Sequence, residues 1–465
     1  MEEIKIDGVI ESPNLELANG EGKDPLLALE HHRLKPFKKP ELSEIEILIA
    51  LPKNYREEKE FVIKLFDDLR DGLIPEDKSF MEKGYRCRWW GFKNVYDIGL
   101  EYEIEEYKYD ENNLIKEIFQ LCGEASKKEI LVVYIPLEYA HYIGSPYFKL
   151  KGFFIEKSIQ SQMVLKKTFD SYFSSQRNFK NNPWDFKNRG YGSLLWNISL
   201  SIFAKAGGIP WKLKEPIEDV SCFIGLATQM APTAPMALKY KKQGIASVQL
   251  FNNWGEYEFS QSVEIDEMWR ENSALCINEE KIQRLLFDIL GNVDDKEGYV
   301  IVHVTDLYSE GVFSTIQRTV KDQGFEKMKI IRIQSEGPLR LYDTSSEKPS
   351  RGWPVLGTYW FLETNKIGEL YTSGAWSYSP SPVGKPYAIP WYSITPVQVV
   401  LETPKEEALV TKDLRDILWL TNLHFYSQDI QRIKLPADLR LAKRLSKICA
   451  SYDKPLLLPN ITYLY

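Results

Sequence analysis

Residues Tyr191 to Lys212 read YGSLLWNISLSIFAKAGGIPWK. Leu194, Leu195, Ile198, Ile202 and Phe203 recur at helical spacing, and Gly207, Gly208 and Pro210 follow at once, the residue types that stop a helix. Lys205 therefore falls in the last helical turn. A lysine there can simply favour the negative end of the helix dipole, so its neighbours in sequence decide what it does. Upstream stand Tyr147-Phe-Lys-Leu-Lys151 and Ile159-Gln-Ser-Gln162, and downstream Asp219-Val-Ser-Cys-Phe-Ile-Gly-Leu-Ala227 has the form of a buried strand. Tyr147 and Lys151, four apart, share one face if helical, so a phenol hydroxyl and an ammonium can reach the same anion. Gln162 adds an amide N–H and Lys205 a second cation.

Composition bounds the rest. The 465 residues, 43% hydrophobic and 27% charged, suit a globular protein of two or three domains. A net charge of -7 excludes a generally basic coat, so a nucleic-acid partner must be held by local patches. Cys87, Cys122, Cys222, Cys276 and Cys449 are widely spaced with no CxxC pair, which argues against zinc and disulfide frameworks and for a reducing compartment. The N-terminus has no apolar signal core, and no run approaches the ~18 apolar residues of a membrane span. The expectation is a cytoplasmic protein without membrane contact.

In chain order, residues 1–42 are turn-rich and read as an irregular arm. Strand Glu44 to Leu51, helix Glu57 to Leu73 and strand Glu129 to Pro136 then predict a Rossmann-like α/β domain over 43–215. From 216 to 465 the strands Ser221 to Leu226, Ala246 to Phe251, Glu256 to Val263, Tyr299 to Val304 and Lys329 to Ile333 come before and between helices Glu279 to Leu290 and Glu310 to Gln323. That order matches ribonuclease H topology. A hairpin over Gly357 to Tyr371 turns near Asn365, and a last helix runs from Ala437 to Ser451.

These pieces, in this order, resemble the core of an Argonaute protein, and the near-full coverage resembles the short prokaryotic Argonautes. Those keep a guide-anchoring MID domain and a ribonuclease H-like PIWI domain, with no room for N and PAZ domains. In the family a Tyr or His, a Lys four residues on, a Gln in a P-T-Q-like turn and a Lys before Gly-Gly surround the 5′-phosphate of the guide. Tyr147, Lys151, Gln162 and Lys205 occupy those positions. Ile159-Gln-Ser-Gln162 lacks the usual proline, which leaves Gln160 as a rival to Gln162, and Leu165 stands where many relatives have a polar contact. The resemblance also implies a divalent cation, Mg2+, between the guide phosphate and the C-terminal carboxylate, here that of Tyr465. The apolar tail Leu456 to Tyr465 fits either a docked terminus or a segment packed for stability alone.

The PIWI half is notable for missing carboxylates. Two-metal hydrolysis needs several of them on neighbouring elements, yet the family's ligand positions carry Ala227, Thr305 and Lys443. Asp306 is one step along from Thr305, and adjacent strand residues face opposite sides. Glu264, Asp266 and Glu267 read as a solvated acidic loop. Basic residues in Lys239-Tyr-Lys-Lys242, with Arg318, Lys321, Arg332 and Arg340, are candidates for tracking duplex phosphates. The expectation is no catalytic residue and no enzymatic activity. Instead the resemblance implies a binding module, with an RNA guide and a single-stranded DNA target. Its output would come from an APAZ-containing effector with a TIR or sirtuin-like NAD-consuming domain, or a nuclease. The arm 1–42 and Gly374 to Tyr378 are candidate contacts in that heterodimer, which would serve defence by abortive infection and NAD depletion. The alternative is an active nuclease using displaced carboxylates such as Asp306 and Glu310.

Overall fold

A computed structural model describes residues 6–25, 27–73, 89–110, 113–121, 123, 128–136, 142–169, 191–231, 242–338, 341, 354–362, 365–373, 395–423, 433–458 and 460–464. The chain forms two compact units, one of Met1–Asn14, Leu213–His424 and Asp429–Leu458, the other of Leu15–Lys212, Phe425–Gln428 and Pro459–Tyr465. The first strand, β1 (Gly8–Val9), belongs to the former and pairs antiparallel at the edge of its sheet. Residues 1–42 are thus not one irregular arm. Beyond β1, the alternation Leu-Glu-Leu buries Leu15 and Leu17, which makes β2 (Leu15–Leu17) a strand paired with β3 (Gly20–Gly22). A short predicted arm gains structure because its apolar residues find a core.

The second unit is built on a parallel sheet in the order β5-β4-β6-β7. Its elements are β4 (Glu44–Pro52), α1 (Arg56–Asp71), α2 (Phe92–Tyr96), β5 (Gly99–Tyr107), α3 (Leu114–Phe119), β6 (Ile130–Ile135), α4 (Pro146–Glu156), β7 (Ser161–Leu165), α5 (Lys166–Phe169) and α6 (Tyr191–Lys205). Strand β6, and β4 from Ile47 onward, are continuous apolar runs because both faces are covered. On α1, Phe61, Val62, Leu65, Phe66 and Leu69 are all buried. Helix α6 packs through Trp196, edge to face with Trp89 at 4.8 Å, and Phe203, stacked on Tyr96 at 4.4 Å. It ends where Gly207 takes φ +93°, a conformation that a side chain disfavours, and a Cβ on Gly208 would strike the Phe203 ring. A short strand, β8 (Lys212–Leu213), follows and joins the β2–β3 sheet.

The other unit carries a ten-stranded sheet in the order β1-β15-β16-β17-β14-β13-β9-β10-β11-β12. Its strands are β9 (Val220–Met230), β10 (Lys242–Asn252), β11 (Tyr257–Glu271), β12 (Ala274–Ile277), β13 (Tyr299–Val304), β14 (Met328–Gln334), β15 (Thr358–Phe361), β16 (Ile367–Leu370) and β17 (Val397–Thr403). Strand β13 runs parallel to both β9 and β14, and the remaining pairs are antiparallel. Even-numbered residues of β9 (Cys222, Ile224, Leu226) and β13 (Val300, Val302, Val304) face one core. That core is closed by α7 (Glu279–Leu290), through Ile282, Leu285, Leu286 and Ile289, and by α8 (Glu310–Asp322), through Val312, Ile316 and Val320. Asn278 caps α7 by accepting from the Glu280 and Lys281 amides. The odd-numbered face meets α10 (Ala437–Tyr452), while α9 (Thr411–Thr421) packs with Leu414 against Gly368 of β16.

Candidate nucleic-acid-binding sites

In the second unit, Ser145 caps α4, with Pro146 in its first turn. This helix places Tyr147 and Lys151 one turn apart, and both are buried. Lys151 Nζ donates to the Ser161 carbonyl at 2.6 Å and to Ser161 Oγ at 3.2 Å. Lys205, in the last turn of α6, donates through Nζ to Gln162 Oε1 at 2.6 Å and to Ser201 Oγ. Ser201 Oγ in turn donates to the same Gln162 oxygen at 2.9 Å. The two lysines, far apart in sequence, land on consecutive residues of β7, Ser161 and Gln162.

The two glutamines make different contacts. Gln160 Nε2 donates to Thr462 Oγ1 at 2.6 Å, so its amide serves the C-terminal segment, while Gln162 is the one that meets Lys205. The tail is docked in this unit: Ile461–Leu464 form a 3-10 turn with Ile461, Thr462 and Leu464 buried, and Tyr463 donates its hydroxyl to the Ser158 carbonyl at 3.0 Å. Tyr465 lies outside the described residues. Sequence reasoning missed Ser161 and Ser201; the signal available for Ser201 was its position one helical turn before Lys205.

In the ten-stranded unit the pairs His303↔Gly225 and Val304↔Leu226 bring Thr305, one step beyond them, level with Ala227 in the C-terminal half of β9. Ala227 pairs with Ser247, whose hydroxyl donates to the Ala442 carbonyl at 2.6 Å, next to Lys443 on α10. Thr305 and the α10 turn that carries Lys443 thus follow on from elements paired or bonded beside Ala227. Asp306 is held by Arg270 at 2.7 Å and accepts from Thr305 Oγ1 at 3.2 Å, and Glu310 is paired with Lys405 at 3.0 Å. The two displaced carboxylates are spent on separate cations. Glu264, Asp266 and Glu267 are exposed as expected but lie on strand β11, not in a loop. Among the described residues no group of three or more His, Cys, Asp and Glu could hold a metal ion.

Helix α10 carries Arg440, Lys443, Arg444 and Lys447 at helical spacing, each partly exposed. Burial, then the neighbouring Lys443 and Arg444 charges, pull the Lys447 ammonium below the usual lysine range. Of the other basic candidates, Arg318 and Lys321 are exposed on α8, whereas Arg332 is bound to Glu402 at 2.5 Å and partly buried. Arg332 is therefore an internal ion pair and not a free backbone contact. Residues 239–241, Arg340, Gly374 to Tyr378, Cys87 and Cys122 lie outside the described residues, and Cys222, Cys276 and Cys449 are buried free thiols. No described helix is long and apolar enough to cross a membrane.

No family model and no curated protein sequence matches the chain. Solved structures do. Clostridium butyricum Argonaute bound to a guide DNA and a 19-mer target DNA superposes with TM-score 0.63 and 19% identity over 96% of this chain. Aquifex aeolicus Argonaute gives 0.61, 17% and 98%, and Drosophila Piwi 0.62, 11% and 98%. The fold is Argonaute-like. Its four-stranded unit corresponds to a MID fold and its ten-stranded unit to a ribonuclease H-like PIWI fold. The chain spans about half the length of these proteins, 53%, 55% and 56% respectively.

Proposed function

We propose that the MID-like unit anchors the 5′-phosphorylated end of a guide, RNA by the family resemblance, and that the chain recognises a complementary single-stranded DNA without cutting it. The observation that carries this reading is the arrival of Lys151 and Lys205 on consecutive residues of β7, with Gln162 between a lysine and a serine. Convergent ammonium and amide donors suit a dianionic phosphate. Tyr147, one turn before Lys151, supplies the phenol of the same site. Base pairing then reads the sequence, and the protein contributes backbone contacts.

The non-cleaving part of the proposal rests on Ala227 and Thr305, neither of which offers a carboxylate, and on the cationic α10. The use of Asp306 and Glu310 in an active nuclease is disfavoured by their ion pairs with Arg270 and Lys405. A Mg2+ ion between the guide phosphate and the Tyr465 carboxylate belongs to the same proposal; the docking of the tail as far as Leu464 is compatible with it. With no cutting, the output falls to a partner, in the family an APAZ-containing effector of TIR or sirtuin-like type, and the cellular result is NAD depletion in defence against invading DNA.

The test compares guides with 5′-phosphate and 5′-hydroxyl ends. Lys151→Ala or Lys205→Ala removes a charge-assisted contact of about 1.5–3 kcal/mol, tenfold or more in affinity, from the phosphorylated guide only. Equal weakening of both guides would place the anchor elsewhere.

A further inference from the structure

We infer that Ser201 is a positioning residue that fixes which end of the Gln162 amide faces an incoming phosphate. This rests on the reading of the cluster as the guide 5′-phosphate site. A lysine ammonium has three donors and no acceptor, so the amide atom that meets Lys205 Nζ at 2.6 Å is the oxygen. Ser201 completes a closed ring, since its Oγ accepts from Lys205 and donates to the same Gln162 oxygen at 2.9 Å. Turning the amide over would set its N–H2 against the Lys205 ammonium, which has no lone pair, and would cost the oxygen its bond from Ser201 Oγ. The ring therefore commits Gln162 Oε1 inward and leaves Nε2 as the outward group.

The burial pattern gives this orientation a use. Lys205 is 4% and Ser201 5% exposed, whereas Gln162 is only half-buried. One Nε2 hydrogen reaches back to the Met163 carbonyl at a long 3.3 Å, which leaves the second for an acceptor from outside. A phosphate oxygen is such an acceptor, and its bond to the amide gains from the positive charge held behind Oε1. Without the Ser201 hydroxyl, one of the two restraints on the amide is gone, and the buried ammonium loses an acceptor.

The experiment measures dissociation constants for 5′-phosphate and 5′-hydroxyl guides with the full chain, its Ser201→Ala, Ser201→Thr and Gln162→Ala variants, and the double variant Ser201→Ala/Gln162→Ala. Expected is a loss of about three- to tenfold in the phosphate preference for Ser201→Ala, the size of one hydrogen bond. Ser201→Thr keeps the hydroxyl and most of the preference. In the Gln162→Ala background Ser201→Ala changes nothing further, because the residue it positions is absent. A wild-type chain that does not distinguish the two guides would overturn the anchor itself. A wild type that distinguishes them, with Ser201→Ala equally discriminating or additive with Gln162→Ala, would overturn the role of Ser201 alone.

Discussion

His303 Nδ1 lies 2.8 Å from Asp438 Oδ2 in the interior between β13 and α10, with both side chains almost completely buried. Among the described residues, His303 Nε2 and Asp438 Oδ1 meet no other hydrogen-bonding group, so this contact carries the polar pairing of helix to sheet at that point. Asp438→Ala leaves the imidazole with neither nitrogen bonded and is expected to cost about 1–3 kcal/mol, read as a lower urea midpoint at unchanged slope. Replacing both residues by leucine should recover part of the loss, because no orphaned polar group remains. A single variant as stable as the parent would show that the pair does not hold α10.

Gly225 is the neighbour of His303 across the parallel pair, and a Cβ there would sit 2.3 Å from the Asp438 backbone carbonyl and 2.5 Å from the Leu439 amide nitrogen. The obstacles are main-chain atoms that no rotamer change removes. Gly225→Ala is therefore expected to destabilise at the upper end of the about 1–3 kcal/mol typical of overpacking. Urea unfolding measures it; a change below about 0.5 kcal/mol, the scale of a neutral surface substitution, would contradict the close packing.

Glu369 on β16 sits in the same sheet, buried, with Gln398 Nε2 donating to Oε1 at 3.2 Å and Oε2 meeting no partner among the described residues. Burial pushes its carboxyl up to about 7 from an ordinary 4.5. Between those values the folded protein holds a proton that the unfolded chain has released, so stability falls as pH rises through this window, and the loss is complete above it. Glu369→Gln removes the titration. Urea midpoints at pH 5.5 and 8, values chosen as about one unit inside and outside the window, should drop more in the parent than in the variant. Identical drops would remove Glu369 as their source.

Much of this was legible in the sequence where the pattern was strong. Helices Glu279–Leu290 and Ala437–Tyr452 and strand Tyr299–Val304 follow from apolar spacing and end signals, and Asn365, expected at a hairpin turn, takes φ +48° between β15 and β16. Edge strand β5 carries the alternation Leu100-Glu-Tyr-Glu-Ile104-Glu of a half-covered strand, a weaker signal than the continuous apolar run of β6, and is not among the strands expected from sequence. Strand β1, of two residues, has no periodicity to read. In the candidate site, Lys151, Gln162 and Lys205 are named from their order in the chain, while the bond of Gln160 to Thr462, 302 residues away, has no local signal to read. Arg332 shows the converse: a cation that reads as surface is tied to Glu402 on the next strand.

With guide, target and magnesium or manganese, the protein is expected to leave the target intact. One step beyond the Val304↔Leu226 pair, Thr305 comes level with Ala227, neither offers the carboxylate that two-metal hydrolysis uses, and the adjacent Asp306 is bound to Arg270. Restoring aspartate at 227 and 305 should still give no cleavage, because α10 presents Lys443 beside Arg444 and Lys447. Burial is the largest cause of the depressed Lys447 ammonium, and repulsion from Lys443 and Arg444 adds to it. A divalent ion would meet the same repulsion, in a setting less screened than bulk water. Only when Lys443→Asp accompanies the other two substitutions do the positions offer three carboxylates, so the triple variant is the one in which manganese-dependent cutting can appear. A gel assay of labelled target separates the cases. Cutting by the unmodified chain at a fixed distance from the guide 5′ end would overturn the non-cleaving reading, and cutting by the double variant would remove Lys443 as the obstacle.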